Sequence, residues 1–170
     1  MRRVTALILL LAIVPAGPAR AAQCWPPPTA APVADPYREP ACPWCPGNRG
    51  ITYSTPPGTP VRAVAAGVVT FAGEVADAGY VVVELANGWR LTYGDLARRT
   101  VAAGDVVLAG SRLGTTAGEL HFGLRDRAAA GPEAYLDPTQ HLGVWRYRVR
   151  LIPLAGEPRP APAPTLRCQA

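Results

Sequence analysis

The sequence of 170 residues contains no lysine, and all 17 of its basic residues are arginine. We attribute this bias to codon composition and not to a binding function. The formal net charge is +5, and three of these charges belong to Arg2, Arg3 and Arg20, so the rest of the chain carries +2. So small an excess gives little support to a nucleic-acid partner, and we expect none.

The chain also lacks an apolar run long enough to span a bilayer. Its N-terminal apolar stretch, from Val4 to Val14, is shorter than the roughly 20 residues that a transmembrane helix needs. A basic start precedes this stretch and Ala19-Arg20-Ala21 follows it, which is typical of a cleavable signal peptide. We therefore predict a signal peptide over residues 1–21, a secreted or extracytoplasmic mature protein, and no integral membrane span after cleavage.

No long segment shows the period of an amphipathic helix, and we find no internal repeat. Residues 48–153 instead contain short apolar runs broken by glycine, which is typical of a compact β-domain. Asn87-Gly88 predicts a two-residue hairpin turn between two of these runs. The predicted strands are Gly67–Ala72, Tyr80–Leu85, Trp89–Tyr93, Val106–Ala109, Arg112–Thr115, Leu120–Leu124 and Val144–Leu151.

Proline-rich segments flank this domain. Residues 22–47 form a cysteine-containing N-terminal arm and residues 154–170 a C-terminal tail, and we predict that both are extended and poorly packed. The last predicted strand alternates, with Arg146, Arg148 and Arg150 on one side. These arginines could bind an acidic polymer, but we favour a solvated edge strand, where charges discourage aggregation.

The chain has four cysteines, Cys24, Cys42, Cys45 and Cys168. In an exported protein an even number favours disulfides, and three pairings are possible. A Cys24–Cys168 bond would close a very long loop and add roughly 5 kcal/mol in the chain-entropy model. The CPWC pair could instead be redox-active or bind zinc. We favour structural disulfides, because prolines surround the pair and no further Cys or His follows at close spacing.

An ordered set of motifs lies between residues 47 and 138. It comprises PPGTPVRAVAAGVVTFAG (56–73), LTYGDL, VAAGDVVLAGSRLG, GELHFGL and YLDP (135–138). In order and spacing the set resembles the lysostaphin/LytM family of zinc metallopeptidases, which cleave peptide cross-links in bacterial cell walls. The resemblance implies an all-β, single-domain open antiparallel β-sheet with a groove, located in a bacterial cell envelope.

The family's zinc site is incomplete in this sequence. The resemblance implies zinc ligands from the His and Asp of an HxGxD motif and from the second His of HxH, with helper histidines in HxH and YxHL. The residues at these positions are Asn48 and Thr52, then Glu119 and His121, then Gly94. His121 is the only surviving ligand position, and because Asn and Thr are poor zinc ligands, we expect no catalytic residues and no bound cofactor.

The groove could still bind a peptide. Asn48 and Thr52 can form hydrogen bonds, Tyr93 can stack and donate, and Glu119 can accept a hydrogen bond from an amine. We therefore take Asn48, Thr52, Tyr93, Glu119 and His121 as the groove-binding candidates.

Glu119 and His121 lie two residues apart on a predicted strand and share a face. With Asp95 or Tyr93 they could form another metal site or an acid/base pair. We favour a simpler interpretation, in which His121 is hydrogen-bonded to Glu119 in a polar groove. His141 lies outside the motifs, and we predict that it is a surface residue.

We therefore predict a secreted, non-catalytic LytM-like cell-envelope domain, a pseudoenzyme that binds peptidoglycan peptides or regulates a cell-wall hydrolase. The alternative is an active zinc-dependent peptidoglycan endopeptidase with a non-standard metal site, which would bind zinc. A third hypothesis is a structural envelope protein whose groove binds no ligand.

Overall fold

The computed structural model describes residues 24–42, 44–127, 134–147 and 163–168. Within these ranges the regular structure is β-strand, except for a 3₁₀ turn over Pro138–His141. The strands are β1 (Val33–Asp35), β2 (Ile51–Ser54), β3 (Pro60–Arg62), β4 (Gly67–Val75), β5 (Ala78–Glu84), β6 (Trp89–Arg99), β7 (Val106–Val107), β8 (Arg112–Asp126), β9 (Ala134–Leu136), β10 (Gly143–Arg146) and β11 (Thr165–Cys168). The predicted all-β fold is confirmed.

Strands β1 to β9 form one open antiparallel sheet. Its order is β1-β2-β8-β6-β5-β4-β7, and β3 and β9 also pair with β8. Strand β8, with 15 residues, is the structural centre of the sheet, because it pairs with β2, β3, β6 and β9. Strands β10 and β11 form a separate antiparallel pair.

The sequence predicted two strands, Arg112–Thr115 and Leu120–Leu124, where the structure has the single strand β8. This prediction was wrong because the residues between the two predicted strands remain paired with neighbouring segments. Thr116 pairs with Leu96 of β6, and its hydroxyl group donates a hydrogen bond to the Pro56 carbonyl at 3.1 Å. The polar stretch in the middle of β8 is therefore held in the sheet from both sides.

The turn chemistry also differs from the prediction. The β5–β6 connection is a three-residue loop, since Leu85 N donates to Trp89 O at 2.8 Å, and only Gly88 takes a positive φ, of 84°. The two-residue turn lies one hairpin earlier, at Ala76 and Asp77, whose φ values are 48° and 67°. Such values match a type I′ turn, and the sequence gives little sign of it because neither residue is glycine or asparagine.

One face of the sheet forms the hydrophobic core. Alternating residues of the central strands point to this face and are fully buried. They include Ile51 of β2, Val81 and Val83 of β5, Leu91 and Tyr93 of β6, and Leu120, Phe122 and Leu124 of β8. Because the side-chain period of a strand is two, intervening residues such as Thr52, Thr92 and His121 lie on the opposite face.

The N-terminal arm packs against the domain, so the prediction of a poorly packed arm is wrong for its described residues. Trp25 is only 4% exposed, and its indole ring contacts Trp89 and His141 at centroid distances of 6.0 and 5.3 Å. Its backbone N–H donates to the His141 carbonyl at 2.8 Å. His141 is accordingly half-buried between two indole rings, and it is not the surface residue that the sequence predicted.

Disulfides are present, as predicted, and join Cys24 to Cys168 and Cys42 to Cys45. The first connects the start of the N-terminal arm to β11, which itself pairs with β10. The described ends of both arms are therefore joined covalently.

Several predictions lie outside the described residues. They concern the signal peptide over 1–21, Arg148 and Arg150 of the arginine row, and most of the C-terminal tail. In the part of the chain that the structure describes, no helix is long and apolar enough to cross a membrane.

Candidate functional site

Strand pairing brings the family's ligand positions together on the polar face of the sheet. Thr52 of β2 lies directly opposite His121 of β8, and Gly94 of β6 lies opposite His121 on its other side. Residues directly opposite in an antiparallel pair have neighbouring side chains on one face. Glu119, two residues before His121 on β8, is exposed and lies opposite Ser54.

A cleft of ≈ 410 Å³ opens on this face. Its lining comprises Gly47, Asn48, Arg49, Tyr80, Thr92, His121, Gly123, Arg125 and Tyr135. Of the residues predicted from the sequence, Asn48 and His121 therefore line the cleft. Thr52 is half-buried beside His121, whereas Glu119 lies farther out along β8.

Asn48, at the position of the family's first zinc-binding His, is a buried residue that ties the N-terminal arm to the cleft. Its side-chain amide donates to the Asp35 carbonyl at 3.2 Å and to the Asp35 carboxylate at 3.1 Å. The backbone of Asn48 also exchanges two hydrogen bonds of 2.9 Å with Arg38. Both amide donors of this side chain thus hold the arm in place.

Asp35, which accepts these bonds, also forms an ion pair with Arg38. The hydrogen bond from Arg38 is the main cause that lowers the pKa of the Asp35 carboxyl below its usual value, and the Asn48 amide acts in the same direction. Asp35 is therefore charged at neutral pH, and no local pattern indicated that it would meet Asn48.

His121 lies between two glycines that let its ring approach the sheet closely. A Cβ atom on Gly50 would lie 2.8 Å from His121 Nε2, and one on Gly123 would lie 3.7 Å from it. Burial lowers the pKa of His121, and the negative charges of Asp95 and Glu119 oppose this shift only in part. The imidazole is therefore neutral at neutral pH, with one donor and one acceptor.

The sequence predicted a hydrogen bond between His121 and Glu119, but the described residues show none between these two side chains. They interact only electrostatically there. The pair shares a strand face, as predicted. Because neighbouring side chains on one face of a strand point in parallel directions away from the sheet, Glu119 acts on His121 through its charge.

Tyr93 is not a groove residue, and this prediction has to be corrected. Its side chain is fully buried on the core face, where its hydroxyl accepts a hydrogen bond from the Val64 N–H at 3.0 Å. Burial raises the pKa of Tyr93 far above its usual range. A ligand in the groove could not reach this side chain without opening the core.

Tyr80 is a cleft residue that the sequence did not indicate. Its ring covers Gly94, so that a Cβ atom at Gly94 would lie 2.6 Å from Tyr80 Cε1. The aromatic ring thus lies beside the position from which the family's YxHL histidine extends. Only the pairing of β5 with β6 brings the two residues together, so no local pattern could have found the contact.

We expect Gly94→Ala to destabilise the protein by about 1–3 kcal/mol, because the added methyl group overpacks against the Tyr80 ring. Tyr80→Ala should remove most of this cost in the double variant. Urea denaturation of the two single variants and the double variant measures the coupling. Additive effects would show that Tyr80 is not what excludes a side chain at position 94.

Two arginines in the cleft lining contact one aromatic ring, and no motif in the sequence indicated this contact. The guanidinium groups of Arg49 and Arg125 lie 5.5 and 5.8 Å from the centre of the Tyr135 ring. Tyr135 of β9 lies directly opposite Arg125 of β8. Arg49 lies between Asn48 and Thr52, the positions of the family's HxGxD ligands, and this place in the chain was the available sign that it would lie near the cleft.

The residues present do not match a catalytic zinc centre, which takes three protein ligands and leaves one open position. In residues 24–42, 44–127, 134–147 and 163–168 there is no group of three or more His, Cys, Asp or Glu side chains that could hold a metal ion. At the three ligand positions only His121 offers a strong donor, since the Asn48 amide is bonded to Asp35.

Comparison with known proteins identifies the family of this chain. The family model described as Peptidase family M23 matches residues 46–132. DD-carboxypeptidase/endopeptidase Mpg of Neisseria meningitidis is 40% identical over 85 residues, which cover 46% of this chain and 20% of that protein. The uncharacterized lipoprotein YgeR of Escherichia coli is 32% identical over 126 residues, which cover 68% of this chain and 48% of that protein. The matched region thus spans from a fifth to about half of these relatives.

Solved structures show the same fold. The catalytic domain of lysostaphin from Staphylococcus simulans superposes with a TM-score of 0.55 at 24% sequence identity, covering 64% of this chain and 89% of that domain. The open antiparallel sheet is therefore shared with a domain of known structure.

Proposed function

This chain belongs to peptidase family M23, and we propose that within that family it is a non-catalytic cell-envelope domain. It would bind a peptide of peptidoglycan in the cleft, or dock onto a cell-wall hydrolase and regulate it. The proposed location is extracytoplasmic, after removal of a signal peptide. No metal takes part in this function.

The arrangement of Asn48 carries the proposal. At the position where the family has a zinc-binding His, this buried amide donates to the carbonyl and carboxylate oxygens of Asp35 at 3.2 and 3.1 Å. A side chain fixed in this way acts as a structural link, and it leaves His121 without a strong ligand beside it. The cleft remains open, and its volume of ≈ 410 Å³ is within the range of sites for small ligands.

Sedimentation with insoluble peptidoglycan tests the proposal, and Gly123→Leu is the decisive variant. A Cβ atom at Gly123 would make only ordinary contacts of 3.5 Å or more, so a leucine can extend into the cleft without a backbone clash. We expect the wild type to sediment with the wall, and this variant to bind about tenfold more weakly, which corresponds to about 1.4 kcal/mol.

Gly118→Leu is the matched control, because Gly118 lies exposed on the same strand and an added Cβ meets no atom within 4 Å. It should sediment like the wild type. Failure of the wild type to sediment would exclude peptidoglycan binding and leave hydrolase docking. Equal binding by the wild type and Gly123→Leu would place the binding surface outside the cleft.

An active peptidase with a non-standard metal site is the second candidate. It is favoured by the charges of Asp95 and Glu119, both of which act on His121. Digestion of purified peptidoglycan by the wild type that a chelator abolishes, and that His121→Ala removes, would establish this candidate and exclude the first. We expect no such digestion.

A further inference from the structure

We propose that two copies of this chain associate through one edge of the sheet, by antiparallel pairing of β4 with β4 of a second copy. The pairing is centred on Gly73, so that Phe71 of each copy lies opposite Val75 of the other. This inference goes beyond the proposed peptidoglycan function and does not depend on it.

The second half of β4 has a neighbouring strand on one side only. Strand β5 pairs with β4 from Val68 to Val75, whereas β7 pairs only with its first two residues. Val69 makes the last backbone hydrogen bonds on the β7 side, with Gly104 and Asp105. Beyond that point no strand of the described chain pairs with this side of β4. Such an edge presents unpaired N–H and C=O groups, with which another strand can form a ladder.

The same edge carries a cluster of exposed apolar side chains. Val68, Phe71 and Val75 of β4 are 44%, 39% and 54% exposed. Val106 of β7, which lies directly opposite Val68, is 77% exposed. Single apolar residues scattered over a surface are ordinary, but neighbouring ones mark an interaction surface. The β4 edge therefore combines backbone groups and apolar side chains that a partner strand can cover.

The sequence of β4 is complementary to itself in one register. Residues directly opposite in an antiparallel pair share a face, so a pairing centred on Gly73 places Phe71 opposite Val75 twice. Aromatic and β-branched side chains are favourable cross-strand partners. Glu74, the only charged residue of β4, then lies opposite Ala72, so no like charges meet. This complementarity identifies a second copy of the chain as the occupant of the edge.

The neighbouring registers are less favourable. A pairing centred on Glu74 would place two carboxylates directly opposite each other, which is destabilising. A pairing centred on Ala72 would place Phe71 opposite Gly73 and lose the contact with Val75. The register centred on Gly73 is therefore the one that we expect.

Gly73 also suits the two-fold axis of this arrangement. A Cβ atom on Gly73 would lie 2.8 Å from Phe71 Cζ, so the Phe71 ring lies over the glycine. In the pair, both rings therefore lie towards the axis, where two glycines leave room for them. A contact that uses the same patch on both copies closes on itself, so it gives a dimer and not a fibre.

The pairing would place two clefts on one continuous face. Gly73 lies opposite Tyr80, which lines the cleft, so the Phe71 side of β4 is the cleft side of the sheet. An axis perpendicular to the sheet keeps both clefts on this side, and the two β6 strands would lie about 24 Å apart at the usual strand spacing. The dimer would therefore meet one surface with two sites, which raises the effective affinity.

Sedimentation equilibrium of the purified chain tests the inference. Because a short strand pair is a small interface, we expect a dimer in the micromolar range, detectable at about 100 μM. Phe71→Lys/Val75→Lys places lysine opposite lysine twice, and its dissociation constant should be about tenfold higher or more. Phe71→Glu/Val75→Lys places glutamate opposite lysine at the same positions. It should associate about tenfold more tightly than the double-lysine variant, and added salt should reduce this difference.

Val33→Lys/Val144→Lys is the matched control, because it adds the same charge at two exposed apolar residues outside β4. It should associate like the wild type. Loss of association in this control would replace edge pairing with a general charge effect or another surface. The two β4 variants change the same two residues, so a folding defect, checked by circular dichroism, does not by itself predict a difference between them.

Two further results would overturn the proposal. A wild type that remains monomeric at about 100 μM would exclude the second copy and leave the edge to a strand of another protein. Equal association by the two β4 variants would show that positions 71 and 75 are not opposite each other in the dimer.

Discussion

The variant Asn48→His/Thr52→Asp should bind about one zinc ion per chain, whereas the wild type should retain none after gel filtration. The expected change is large, because three strong ligands replace a single imidazole. Structural zinc sites with a complete ligand set bind with apparent free energies of roughly 10–16 kcal/mol. Metal analysis of the purified proteins, followed by titration with zinc, measures the change.

The sheet register makes this conversion feasible. Position 52 lies directly opposite His121, so a carboxylate there would extend on the same face as the imidazole. Position 48 lines the same cleft. The substitution at 48 also removes two hydrogen bonds to Asp35, so some loss of stability without metal is expected.

The triple variant, with His121→Ala added, is the control and should lose the metal again. Stoichiometric zinc in the wild type would contradict the non-catalytic proposal. A double variant without zinc would show that the ligand positions are not close enough in solution. We expect no peptidase activity from the double variant, because Gly94 supplies no helper side chain and the Tyr80 ring lies where one would begin.

Replacing Cys24 and Cys168 with serine should destabilise the protein by about 5 kcal/mol, the value that the chain-entropy model gives for so long a loop. The two residues are separated by 144 positions. A loss of this size is comparable with the whole stability of many domains, which is about 5–15 kcal/mol. Urea denaturation followed by tryptophan fluorescence measures it, since Trp25 is next to Cys24.

The Cys42→Ser/Cys45→Ser variant is the internal comparison. Its disulfide joins residues only three positions apart, for which the same model gives about 2 kcal/mol. The long-range bond should therefore cost more to remove. Equal losses would mean that packing of Trp25 against Trp89 and His141 holds the N-terminal arm without help from the bond.

Much of the fold could be predicted from the sequence, because strand position depends on local patterns. Apolar runs broken by glycine located β4, β5 and β6 to within a few residues, and the motif order indicated the family. The turn type and the continuity of β8 could not be predicted in the same way. Thr116 stays in its strand because of partners on β6 and at Pro56, which no local pattern contains.

The residues of the candidate site also separate into those that the sequence could predict and those that it could not. Sequence alone identified Asn48 and His121 as cleft residues, since both occupy family motif positions and both line the cleft. It misplaced Tyr93, although Leu91 two residues earlier lies on the same core-facing side of β6. The polar hydroxyl of Tyr93 suggested a groove residue, but in the structure it accepts a hydrogen bond inside the core.

The sequence by itself determined the β-sheet, the family and the loss of two zinc-ligand positions, because each depends on residue identity and spacing along the chain. The tertiary structure alone decided that Asn48 is bonded to Asp35, that Tyr80 covers Gly94 and that two arginines meet at Tyr135. Each of these contacts joins separate strands or segments. Such pairs depend on sheet register and on the packing of the arm, which the chain acquires only when it folds.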